Sequence, residues 1–70
     1  MKYLVVFTKE PDGTVSAEVP DLPVCTSYGA TQQEAEANIK EAIELHLSVM
    51  RDEGMDIPAP AHLAQLIEIQ

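Results

Sequence analysis

The sequence predicts an α+β fold in the order β-β-β-α-β, with one mostly antiparallel sheet and a long helix on one face. Three observations predict it. Two β-branched segments, the first apolar on both faces and the second alternating, flank a Pro-Asp-Gly turn at Glu10–Gly13. A single uninterrupted helical pattern begins at a capping box, Thr31-Gln32-Gln33-Glu34, and stops at Gly54. A short apolar run, Leu66-Ile67-Glu68-Ile69, follows the prolines at 58 and 60.

The first strand is expected over Lys2–Lys9, KYLVVFTK. Its apolar residues fall on both faces, which suits a central strand covered on one side by the helix. The other face presents Leu4 and Val6, or Tyr3, Val5 and Phe7, depending on orientation. A second subunit is one way to cover it. At the turn, Pro11 presets φ, Asp12 can bond its own backbone and Gly13 supplies a positive φ. Thr14–Val19 then alternates Val15, Ala17 and Val19 with Thr14, Ser16 and Glu18, so one face is buried and the other wet. The two strands form a hairpin.

Pro20 and Pro23 bracket a rigid bend. A third strand is expected over Val24–Tyr28, and Gly29 allows a backbone conformation closed to most residues. The helix should run from about Gln32 to Glu53, about 33 Å at 1.5 Å per residue. Ala35, Ile39, Ala42, Ile43, His46, Val49 and Met50 form its apolar stripe, with Leu45 and Leu47 on the rims. Glu36 and Lys40 are spaced as an i,i+4 ion pair. Asp56–Pro60 reads as an extended linker. Leu66–Ile69 reads as a last strand, placed beside the first through a right-handed parallel crossover.

Seventy residues allow one domain, spanning 1–70. So short a chain buries only about 60% of the surface its unfolded form exposes. One cysteine excludes an internal disulfide, and Cys25, His46 and His62 lack zinc spacing. No metal or other cofactor is therefore expected. Assembly remains as the way to enlarge the core, so a homo-oligomer, at least a dimer, is expected. Twelve acidic residues against four basic ones give a net charge of −8. Such a surface repels nucleic acid and anionic membranes and suits a basic protein partner. No apolar run reaches membrane-spanning length, and the chain opens directly on a strand, so the expected location is cytoplasmic.

Several strings taken in order carry a family resemblance. They are Val19-Pro20-Asp21-Leu22-Pro23, the single Cys25, Gly29-Ala30-Thr31, a Glu34-Ala35-x-x-Asn38-Ile39-x-Glu41-Ala42-Ile43 run, and the exit Glu53-Gly54 to Ile57-Pro58-Ala59-Pro60. Together they resemble the N-terminal domain of the HicB antitoxins, over residues 2 to about 60. Val24 stands where that family usually has Gly, and Ala30 where it usually has Asp. The resemblance implies part of a ribonuclease H-like fold. It also implies a type II toxin–antitoxin module that neutralises a small, basic, mRNA-cleaving HicA-type toxin by covering its active site. Asp12, Glu18 and Asp21 are the acids singled out as partner contacts. The alternative is a solitary oligomeric module with no toxin partner.

Catalysis is not expected. Ribonuclease H chemistry needs converging carboxylates, one of them on the first strand, and Lys2–Lys9 carries none. His46 stands alone in its stripe and reads as a packed ring, and Cys25 as a small core residue with no basic neighbour. His62, after two prolines, reads as exposed. Tyr28, Met55 and Ile57 are expected to pack, and together to border a contact surface. The family's usual second, DNA-binding domain has no counterpart in these residues, so no direct nucleic-acid contact is expected.

Overall fold

In the computed structural model, which describes all 70 residues, the hairpin follows from three residues of its turn. The Glu10 N–H donates to the Thr14 carbonyl at 2.8 Å and the Gly13 N–H to the Glu10 carbonyl at 3.0 Å. Gly13 sits at φ +93°, which closes a turn-plus-bulge loop that a Cβ would strain. Asp12 Oδ1 accepts from the Thr14 N–H at 3.0 Å and from Thr14 Oγ1 at 2.7 Å, which stiffens the corner. The loop sets the register of β1 (Val6–Lys9) on β2 (Val15–Glu18), with Val6 opposite Glu18 and Lys9 opposite Val15.

After β2 the chain makes a tight double bend. The Val19 N–H bonds the Cys25 carbonyl, the Leu22 N–H the Val19 carbonyl, and the Cys25 N–H the Leu22 carbonyl. The bend drives Leu22 fully into the core. It also forces Val24 to φ +61°, a conformation that a β-branched residue adopts only under strain. β3 (Thr26–Gly29) then pairs antiparallel with β2, giving the order β1-β2-β3.

Alternation along β2 buries Val15 and Ala17, and Val19 beyond it, against the helix, while Glu18 faces solvent. The helix-side core is Ala17, Val19, Leu22, Cys25, Ile39 and Leu47, with Tyr3, Val5, Phe7, Ala42, Ile43 and Ile57 packed around it. The helix-facing set on the first strand is therefore Tyr3, Val5 and Phe7. The opposite sheet face carries Thr8, Ser16, Glu18, Thr26 and Tyr28 beside Val6. Apart from Val6 and Tyr28 it is polar, and most of it is exposed.

Helix α1 spans Gln32–Asp52. Thr31 Oγ1 accepts from the Glu34 N–H at 3.1 Å, and Glu34 Oε1 reaches back to the Ala30 N–H, one residue before the Thr31 N–H that a capping box would use. At the far end the Gly54 N–H bonds the Arg51 carbonyl and the Met55 N–H bonds the Met50 carbonyl, with Gly54 at φ +68°. This is a Schellman stop, and it returns Met55 toward Met50. Gly29 is needed for space. A Cβ there would lie 2.5 Å from the backbone nitrogen of Ala35. Asn38 Nδ2 donates to the Tyr28 carbonyl at 2.8 Å and ties the helix to β3.

The α+β class and the order β-β-β-α stand, and five details differ from the sequence expectation. β1 is shorter than Lys2–Lys9 and lies at the sheet edge, so β2 is the central strand. β3 starts at Thr26, because Val24 in the left-handed region cannot extend a strand. Leu47 is buried while Val49 is 48% exposed, so the core face of α1 is turned toward one rim of the predicted stripe. Leu66–Ile69 forms no strand beside β1, and every residue of 61–70 is exposed. A strand needs an edge to pair with, and the preceding residues of this segment are held elsewhere. Glu36 and Lys40 form no ion pair; exposed side chains of that length gain little by ordering.

Candidate partner-binding surface

The three acids singled out from the sequence occupy three different settings. Asp12 tips the β1–β2 turn. Its two bonds from Thr14, first the hydroxyl and then the backbone N–H, hold its carboxyl below the usual range, so it stays ionised into acid. Glu18 ends β2 on the wet sheet face, opposite Val6 and Thr26, and its carboxylate makes no bond within the chain. Asp12 and Glu18 thus stand at opposite ends of β2 and do not converge.

Asp21 is engaged inside the chain. Its Oδ2 accepts from the N–H groups of Ala61 at 3.0 Å and His62 at 3.3 Å, and its Oδ1 lies 2.6 Å from His62 Nδ1. Its side chain is only 6% exposed. The backbone bond from Ala61 is the main cause that holds its carboxyl below the usual value, and the contacts with His62 add to it against the cost of burial. Asp21 therefore clamps the C-terminal segment to the β2–β3 connection. A second tie is the Tyr3 hydroxyl, which donates to the Pro58 carbonyl. Residues 40 and 41 positions apart leave no local pattern, so the clamp has no signal in a single sequence. The aspartate within the Pro-bracketed bend and the histidine after two prolines are its only traces.

Two apolar grooves flank α1. One, of about 400 Å³, lies between the Val24–Thr26 bend and the second half of the helix, and it includes His46, Leu45, Val49 and Met55. Val24 is 92% exposed at its mouth. His46 is half-buried here and has no hydrogen-bond partner. Met55 borders this groove, Tyr28 is on the opposite sheet face and Ile57 packs on the core, so these three do not share a surface. The other groove, of about 580 Å³, runs between Tyr3, Val5 and Phe7 and the helix residues Ile39, Ile43 and Leu47.

The exposed side of α1 is acidic, with Glu34, Glu36, Glu41, Glu44 and Asp52 against Lys40 and Arg51, and Glu36, Lys40 and Glu44 also line the larger groove. The one ion pair in the structure is that of His62 with Asp21, so the remaining carboxylates are free of cationic partners within the chain. Cys25 is buried, and burial pushes its thiol up, away from nucleophilic character. No three His, Cys, Asp or Glu side chains gather into a metal-binding group. No helix is long and apolar enough to cross a membrane.

Residues 3–70 match the family model described as the HicB-like antitoxin of bacterial toxin–antitoxin systems. Among similar proteins, a UPF0150 protein of Thermoplasma acidophilum is 43% identical over 58 residues, covering 83% of this chain and 84% of the relative. A UPF0150 protein of Synechocystis is 43% identical over 56 residues, covering 80% of this chain and 71% of the relative. A 14.9 kDa protein from the rep–hol intergenic region of Haemophilus phage HP1 is 39% identical over 67 residues. That match takes in 96% of this chain but only 50% of the phage protein.

Proposed function

The chain belongs to the HicB-like antitoxin family of bacterial toxin–antitoxin systems, and from that premise we propose that it binds and neutralises a small, basic, mRNA-cleaving toxin of the HicA type. The observation that carries this reading is the acidic surface. With a net charge of −8 and no internal cation to pair most of its carboxylates, the chain presents a field that attracts a basic partner and repels RNA. It acts by occupying the toxin's active site, without catalysis of its own, and it works in the cytoplasm. Glu18, unpaired on the wet face, and Asp12, held ionised at the turn, are contact acids. Asp21 serves the interface through the segment it clamps. The chain also self-associates, at least as a dimer, since a row of large apolar side chains in its C-terminal segment lies open to water.

Stopped-flow binding to a HicA-type toxin, with Asp12→Lys/Glu18→Lys as comparison, tests the reading. Reversing two charges should slow association roughly tenfold at low salt, and the difference should shrink at high salt as screening takes over. Equal rates for both proteins at low salt would remove these two acids from the interface. Failure of the chain to protect RNA from the toxin at any concentration would refute the antitoxin reading itself.

A further inference from the structure

The edge of the sheet at β1 is incomplete. Pairing alternates along the hairpin from Glu10, whose N–H and carbonyl both bond inward, so the amides of Phe7 and Lys9 face outward from the sheet with no strand to receive them. Directly beneath this edge lies the larger apolar groove, with Val5 and Phe7 on one wall and Ile39 and Ile43 on the other. A missing strand would both complete the ladder and roof the groove.

The chain also carries an exposed, unpaired segment with the composition of a strand. In Leu66-Ile67-Glu68-Ile69, Leu66 is 99% exposed, Ile67 65% and Ile69 82%. Extended backbone would put Ile67 and Ile69 on one face and Leu66 and Glu68 on the other. That pattern fits a strand with an apolar groove on one side and a wet sheet face on the other. The C-terminal segment is tied first to Tyr3, ahead of β1, through Pro58, and then to Asp21 through Ala61 and His62. Asp21 belongs to the β2–β3 connection, and it holds Ala61 and His62 on the far side of β2 from the free edge. The radius of gyration, 13.6 Å against about 11 Å for a compact chain of this length, records a segment that leaves the body.

We propose that Leu66–Ile69 of one copy adds as a strand to the free β1 edge of a second copy, with Ile67 and Ile69 filling the groove beneath that edge. Reciprocal exchange closes a two-fold dimer whose interface uses the same two surfaces twice. This rests on the reading that the chain self-associates, and it names the surfaces that do so.

Sedimentation across a concentration series, read together with hydrogen exchange at individual amides, tests it on the full chain and on two variants. The wild type should form dimers, and the Phe7 and Lys9 amides should become protected as the dimer forms. Ile67→Asp/Ile69→Asp should weaken dimerisation at least tenfold and abolish that protection. Leu63→Asp, outside the exchanged strand, should change neither. A dimer that survives Ile67→Asp/Ile69→Asp would overturn the proposal while leaving self-association intact. Protection of Phe7 and Lys9 in a monomer would overturn it in favour of pairing within one chain. A monomer at every concentration, with both amides unprotected, would refute self-association and this proposal with it.

Discussion

Val24 holds φ at +61° with a β-branched side chain that is 92% exposed, so it neither fits its backbone nor packs. The left-handed conformation costs an L-residue about 1–2 kcal/mol, partly offset on replacement by glycine's greater freedom when unfolded. Val24→Gly should therefore raise stability by about 1 kcal/mol, a gain of roughly 4–8 °C in Tm for a domain of this size. Calorimetry checks it. Gly29 is the converse case. A methyl group there meets the helix backbone, which cannot yield as a side chain would. Gly29→Ala should cost about 2–3 kcal/mol, read as a lower urea midpoint. Asp21 gives a pH dependence of known sign. Its carboxyl is depressed in the folded chain, mainly by the bond from Ala61, so the clamp is fully present above the ordinary aspartate value and is lost as the pH falls through the lower folded value. The Ala61 and His62 amides should stay protected at pH 7 and down to about 4, and open in stronger acid. NMR exchange at these two amides checks it. The strain at Val24 was legible only as an oddity, a valine where the family usually places glycine. The crowding at Gly29 was not legible, because it depends on where the helix lands.

The hairpin and the helix are legible because their signals are local. Pro11, Asp12 and Gly13 lie within one turn and specify it without help from the rest of the chain. Thr31 with Glu34, and Gly54 after the last apolar residue, mark the helix ends within a residue or two of where they fall. Thr31→Ala should cost about 1 kcal/mol by removing the cap. Gly54→Ala should cost about the same by placing a Cβ at φ +68°. Thermal melts of the two variants check both numbers. Strand order is not legible in the same way. KYLVVFTK is apolar on both faces, which reads as central, yet β1 lies at the edge and its helix-side residues border an open groove. Leu66–Ile69 has the composition of a strand, but composition does not supply a partner edge.

At the scale of the whole molecule, the acidic balance was legible from counting alone, and the structure adds where the charge goes. It lies on the exposed side of α1 and on the turn and wet face of the sheet, while one aspartate is withdrawn into the clamp. Glu18 was recoverable from strand alternation. The different fate of Asp21 was not, since its partners lie some 40 residues away. The shape of the single chain carries a further consequence. It measures 46 × 27 × 16 Å, so it drags through solvent as a rod-like particle rather than as a sphere of 7.7 kDa. On a gel-filtration column a lone copy would elute early and pass for a heavier one. Pairing by strand exchange would draw each protruding segment against its neighbour, so the frictional ratio should fall as the mass doubles.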